Sequence, residues 1–198
     1  LREADAIAHA NAVLAAAGFS PPDYHRDVPR LRAVLPGGHL DPAAAPAYTP
    51  HRDTWFANPQ AQINLWVALH DAAPHETFYF YPSLLETPVD NDSADFDYAT
   101  FIRRVGWQRQ GPPPDAVYPT VRAEPQAPRL GFACHRGQVL LFAAAHLHGT
   151  GGIPADGLAR FSVDFRVVHG DDHRRGRGPR NVDNRSRGAA IEDYTPPG

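Results

Sequence analysis

What this chain of 198 residues lacks narrows it before any motif is read. It holds one cysteine, Cys134, so no intrachain disulfide can form, and the disulfide-stapled secreted modules are excluded. A cytoplasmic setting is the expectation. No apolar run approaches the roughly 20 residues that a membrane-spanning helix needs. The N-terminal stretch LREADAIAHANAVLAAAGF is interrupted by Arg2, Glu3 and Asp5 and reads as an amphipathic helix. Charge of one sign is not in excess: 19 arginines, with no lysine at all, stand against 22 acidic residues for a formal net charge of -3. Neither nucleic acid nor a membrane surface is therefore expected as partner, which leaves a small molecule. Methionine is absent, initiator included, which predicts that the chain begins inside a longer gene product. The length fits one domain with a real core, and nothing in it fixes an oligomeric state.

What is present is punctuated by 21 prolines and 16 glycines. Residues 2–17 read as a helix stopped by Gly18 and Pro21. Residues 36–50 are a Pro- and Gly-rich loop. Ile63, Leu65, Val67 and Leu69 then alternate with Gln62, Asn64, Trp66 and Ala68, the period of a strand, and ETFYFYP at 76–82 is an aromatic companion. Further on, GQVLLFAAAHLH reads as one apolar strand ending in two histidines. ARFSVDFRVV sets Phe161, Val163, Phe165 and Val167 against Arg160, Ser162, Asp164 and Arg166. That polar face suits the inner wall of a small barrel or sandwich around a polar ligand, with the apolar face under helices. The expected organisation is thus a core at about 48–82 and 131–168, an insertion at 83–130 that could serve as a lid, and a polar tail at 169–198. The tail, with too few apolar residues for a core, is expected to be mobile or laid over the surface.

Chemistry concentrates in His51-Arg52-Asp53, at the junction of the loop and the first core strand. In an extended segment alternate side chains share a face, so His51 and Asp53 can reach one ion. A distant His148 completes the two-histidine, one-carboxylate set that holds Fe(II) while leaving positions open for substrate and O2. His146 shares strand parity with His148 and is its rival; Gly149 and Thr150, with the spacing to Arg160, favour His148. Arg160 can take a carboxylate in two parallel hydrogen bonds, so a dicarboxylate, 2-oxoglutarate, could bridge it and the iron. His70 and His75 are candidates for groups behind the ligands. Cys134 shows no base partner, and GTGG at 149–152 lacks the pattern of a phosphate loop.

HRD, LWVALHDAAPHETFYFYP and LHGTG followed by ARFSVDFR together resemble the Fe(II)- and 2-oxoglutarate-dependent oxygenases, in particular the phytanoyl-CoA dioxygenase-like branch. The resemblance implies a mainly β fold, a double-stranded β-helix of the jelly-roll or cupin-like kind with flanking helices. By it, His51, Asp53 and His148 bind iron, Arg160 binds the distal carboxylate of 2-oxoglutarate with help from Thr150, and Gln62 and Asn64 are candidates for the proximal carboxylate. Arg103, Arg104 and Trp107 in the insertion, with Arg166, are candidates for substrate contact. The implied activity is hydroxylation of an unactivated carbon in a small organic molecule, such as a biosynthetic intermediate, with release of succinate and CO2. Carrying Asp53 sets the chain apart from halogenating relatives, in which Gly or Ala opens that position. Two alternatives stay open: a cupin-like isomerase, lyase or oxygenase that uses the metal without 2-oxoglutarate, and a non-catalytic small-molecule-binding module.

Overall fold

The computed structural model describes residues 3–42, 44–104, 106 and 118–196. Helix α1 (Glu3–Ala16) ends where Gly18 adopts a left-handed φ of 85°, a conformation that glycine reaches without steric cost. It buries Ala10 and Leu14 against Leu65, Phe165 and Val167. These three are outward residues of two strands, β3 (Gln62–Ala68) and β8 (Arg160–His169), which pair antiparallel with Leu65 opposite Phe165 and Asn64 opposite Arg166. The alternation seen in the sequence sorts side chains as expected: the apolar face of β8 lies under α1, and the polar face, Arg160, Ser162, Asp164 and Arg166, turns inward.

Two strands not legible in the sequence, β1 (Tyr24–Arg26) and β2 (Arg30–Val34), extend this sheet by pairing with β8. They are short, and arginines fill their polar positions, so no apolar alternation announces them. On the other side β3 pairs with β6 (Val139–Ala143). A second sheet runs β5 (Leu130–Gly131), β4 (Phe78–Phe80), β7 (His148–Thr150). Between the two sheets lies an aromatic layer in which Trp66 and Phe142 meet Phe78, and Phe80 meets Phe132 and Phe142, with ring centroids 5.2–6.2 Å apart. Two facing antiparallel sheets of this order form a double-stranded β-helix core.

One expectation is corrected. GQVLLFAAAHLH is not one strand: β6 stops at Ala143, a turn closed by the His146 N–H on the Ala143 carbonyl follows, and β7 starts at His148 in the other sheet. The alanines of the turn are as apolar as strand residues, so composition hides the corner. Within the insertion, a helix, α3 (Tyr98–Arg104), places Phe96, Tyr98 and Phe101 against Phe56 and Ala190. The first part of its Pro-rich stretch, residues 111–117, lies outside the described residues. The tail is built into the fold by polar contacts: Thr195 bridges Arg26, Arg187 bridges Asp97, and Asp183 and Tyr194 are buried within hydrogen-bond networks described below. Among the described residues no helix is long and apolar enough to cross a membrane.

Candidate metal centre and its cavity

His51 and His148 face one another across an isolated antiparallel bridge, each backbone N–H donating to the other's carbonyl at 2.9 and 3.0 Å, with ring centroids 4.6 Å apart. In both rings Nδ1 lies against a backbone carbonyl two residues earlier, Thr49 at 3.0 Å and His146 at 2.9 Å. Nδ1 therefore carries the proton, and Nε2 keeps its lone pair, the tautomer a metal requires. Asp53 opens a single 3₁₀ turn, Asp53–Phe56, and one carboxylate oxygen lies 3.6 Å from His51 Nε2. The three potential ligand atoms all fall within 4.8 Å of one another, so the group could hold a single ion. Two imidazoles and one carboxylate occupy one side of such an ion and leave the other open.

Burial works against the charge of Asp53 and would raise its pKa. The Arg166 guanidinium, reinforced by the two imidazoles, outweighs it and holds the carboxyl below the ordinary range. Arg166 is shared: it binds Asp27 at 3.1 Å and lies 3.9 Å from Asp53. Burial, with the neighbouring His51, depresses His148 to about 4, so its ring is neutral at neutral pH. A histidine whose folded pKa lies below its ordinary 6.5 stabilises the fold above that value. As pH falls from 6.5 towards 4 the unfolded chain takes up a proton that the folded one refuses. Metal-free protein is accordingly expected to lose stability across that window. Urea unfolding at several pH values checks it, and His148→Gln should flatten the slope; an unchanged slope would place the effect elsewhere.

The triad lies in the wall of a cavity of about 310 Å³, a size suited to small molecules. Trp66, Phe78, Phe142, Thr150, Phe56 and Tyr118 line it. Behind Trp66 and Phe78 lies Arg160, 1 % exposed, its guanidinium carbon 5.5 and 5.4 Å from their ring centroids. One nitrogen donates to the Glu76 carbonyl at 2.8 Å; Nε and Nη2 are buried with no protein partner. Ser162 Oγ, Trp66 Nε1 and Asn64 Nδ2 are buried and unpartnered too. Native proteins rarely leave such groups unsatisfied, and here they cluster on the inward faces of two adjacent strands. The Arg32–Asp164 ion pair, two hydrogen bonds of 3.1 and 2.9 Å, stands at the solvent side of the same wall.

The remaining predicted residues sort cleanly. Asn64 and Thr150 line the cavity. Gln62 does not: its Nε2 lies 2.9 Å from Asn64 Oδ1 and 3.4 Å from Asp53, and its Oε1 accepts from Tyr194, so the amide is occupied in holding the triad. His146 sits in the turn, its Nδ1 3.2 Å from the Ala143 carbonyl, and is not one of the grouped ligands. Arg103 and Arg104 are exposed on α3, away from the cavity lining, and Trp107 lies outside the described residues. His75 is exposed, and His70 accepts from the Phe161 N–H at 2.9 Å; neither is a cavity residue. Sequence reasoning missed Ser162, Asp183 and Tyr194. Ser162 was findable, since it shares strand parity with Arg160. The other two act across more than 120 residues and leave no local signal.

No protein-family model and no curated protein matches the chain. Solved structures do. The apo form of the non-heme monooxygenase ThoJ superposes with a TM-score of 0.51 at 18% identity, over 84% of this chain and 55% of that one. EvdO2 from Micromonospora carbonacea var. aurantiaca gives 0.50 at 10% identity, over 82% and 59%. AviO1 from Streptomyces viridochromogenes Tue57 gives 0.46 at 19%, over 81% and 56%. The chain thus spans little more than half the length of these proteins. Identities this low carry the likeness of fold alone, and it is with ThoJ and EvdO2 that this chain shares its double-stranded β-helix.

Proposed function

We propose that the protein is an Fe(II)- and 2-oxoglutarate-dependent oxygenase of the phytanoyl-CoA dioxygenase-like kind, which hydroxylates an unactivated carbon of a small organic molecule with release of succinate and CO2. The observation that carries this reading is Arg160: a buried guanidinium with two unpartnered N–H groups behind the wall that also bears a His-Asp-His group. A cation buried so incompletely paired is costly unless an anion arrives. A carboxylate accepts from such a fork in parallel bonds, and Ser162 Oγ and Trp66 Nε1 are further donors for it. The triad suits a divalent iron by donor type, two imidazoles and a carboxylate held ionised. Bound there, Fe(II) would supply the activation of O2 and the oxidation of the substrate carbon.

The protein's own part is binding, orientation and exclusion of water. Arg160 fixes one end of the cosubstrate. Asn64 Nδ2, beside the triad, offers a donor to its other end. Phe56, its ring centroid 5.6 Å from that of His51, and Tyr118 provide apolar surface for a substrate, and the Arg32–Asp164 pair adds polar groups of both signs. The kinship in fold with a non-heme monooxygenase agrees with this assignment.

Anaerobic titration of metal-free protein with Fe(II) and then 2-oxoglutarate tests it. A visible charge-transfer band should develop on the second addition and weaken in Arg160→Ala. Iron binding with no band would leave a metalloenzyme that works without 2-oxoglutarate.

A further inference from the structure

The C-terminal segment contacts the metal-binding turn and its flanks at Arg52, Trp55, Ala57 and Asn58. Asp183 accepts from Arg52 Nε at 3.1 Å and from Trp55 Nε1 at 2.8 Å. Ser186 Oγ accepts from the Ala57 N–H at 3.1 Å, and the Ala190 N–H donates to the Ala57 carbonyl at 3.0 Å. These contacts fix Ala57 at a φ of 59°, a left-handed conformation costing a non-glycine residue about 1–2 kcal/mol. Tyr194, buried, donates from its hydroxyl to Gln62 Oε1 at 2.8 Å, and the hydroxyl oxygen lies 3.4 Å from Asn58 Oδ1. Asn58 Nδ2 in turn donates to the Asp53 carbonyl at 2.9 Å.

We propose that Tyr194 is a positioning residue for the metal site, acting through the side-chain amide of Gln62 on the Asp53 carboxylate and on Asn64. The inference rests on the triad being a metal site. A glutamine amide can be turned end for end, and its orientation is set by its partners. Nε2 faces two oxygens, Asn64 Oδ1 at 2.9 Å and Asp53 Oδ2 at 3.4 Å, so a flip would set oxygen against oxygen at both. The Tyr194 hydroxyl is the donor that holds Oε1 on the far side. Two consequences follow. Asp53 receives an N–H on the oxygen turned from His51, which leaves Oδ1 as the atom directed to an ion. Asn64, its Oδ1 occupied, turns Nδ2 towards the Asp53 carboxylate and the cavity. A hydroxyl 141 positions from the ligand, as 194 less 53, thus sets which atoms the site shows to metal and cosubstrate.

The test reads metal binding directly. Metal-free wild type, Tyr194→Phe, Gln62→Leu and the double variant are titrated with Co(II), whose visible ligand-field bands report the donor set without turnover. Tyr194→Phe should weaken Co(II) by about tenfold or more and alter the bands, the scale usual for groups behind a ligand. Gln62→Leu should do the same, and the double variant should bind no more weakly than Gln62→Leu, because Tyr194 then has nothing to act through. Wild-type affinity in Tyr194→Phe, or losses that multiply in the double variant as two separate packing defects would, overturns the relay. Should Tyr194→Phe not fold, Gln62→Leu decides: weakened Co(II) with altered bands supports the relay, and wild-type behaviour overturns it. If wild-type protein develops no bands, the metal site itself falls and the relay with it, an outcome distinct from the others.

Discussion

Replacing Arg52 by alanine is expected to destabilise the protein by about 3–5 kcal/mol, the cost of leaving one partner of a buried ion pair alone. Arg52 stands between two of the grouped ligands in an extended conformation, φ -108° and ψ 139°, so its side chain leaves the strand opposite to theirs. It is 1 % exposed. Its guanidinium donates to the carbonyls of Leu84, Leu85, Thr87 and Ala145 and to the Asp183 carboxylate, itself 4% exposed. Alanine would leave that carboxylate with the Trp55 and Val89 N–H groups, and would take a donor from four carbonyls at once, of which that of Leu84 keeps the Thr87 N–H. Arg52→Lys should recover part of the loss, since one ammonium cannot serve acceptors arranged for a planar fork. Pairing Arg52→Met with Asp183→Leu should recover more, since the larger penalty is the lone charge. Denaturant unfolding measures all three; a loss below about 1 kcal/mol for alanine would mean that Asp183 finds water or another cation.

This residue also shows how far the sequence could be read. His51, Asp53 and the inward face of β8 were legible because strand geometry converts spacing into direction: residues two apart share a face, and the polar positions of ARFSVDFR announce a lined interior. The grouping of His148 with them needed a corner after Ala143 that an all-alanine turn conceals, so the grouping was read and the path to it was not. Nothing local in the sequence marks the arginine in the middle of HRD. Its worth lies in carbonyls of a 3₁₀ turn (Pro82–Leu84) and the residues after it, and in an aspartate from a tail whose composition resembles that of a disordered segment. Local pattern carries burial of apolar faces well. It carries little about buried polar networks, which are specified by partners distant in the chain and have no period.

Arg160→Met is expected to move two quantities in opposite directions. In the metal-free protein the guanidinium is a cost: burial, with the nearby Arg32 adding to it, pushes its pKa down to about 10, so it remains charged at neutral pH while Nε and Nη2 lack partners. An apolar chain of similar reach, packed between Trp66 and Phe78, removes that cost and loses one hydrogen bond to the Glu76 carbonyl together with two cation–π contacts. Stability in denaturant should rise, or at the least not fall. Affinity for 2-oxoglutarate should drop by roughly 2–5 kcal/mol, the scale for truncating one side of a buried charged pair, or about 30-fold and upward. Arg160→Lys should fall between, keeping the charge without the fork. The two readouts separate explanations that activity alone would merge. A fall in both stability and affinity would make Arg160 a structural cation whose partner is the protein itself. A stable variant that binds 2-oxoglutarate as the wild type does would move the cosubstrate off this arm of the cavity. Only gain in stability with loss of affinity marks a charge buried at a cost for the sake of an absent anion.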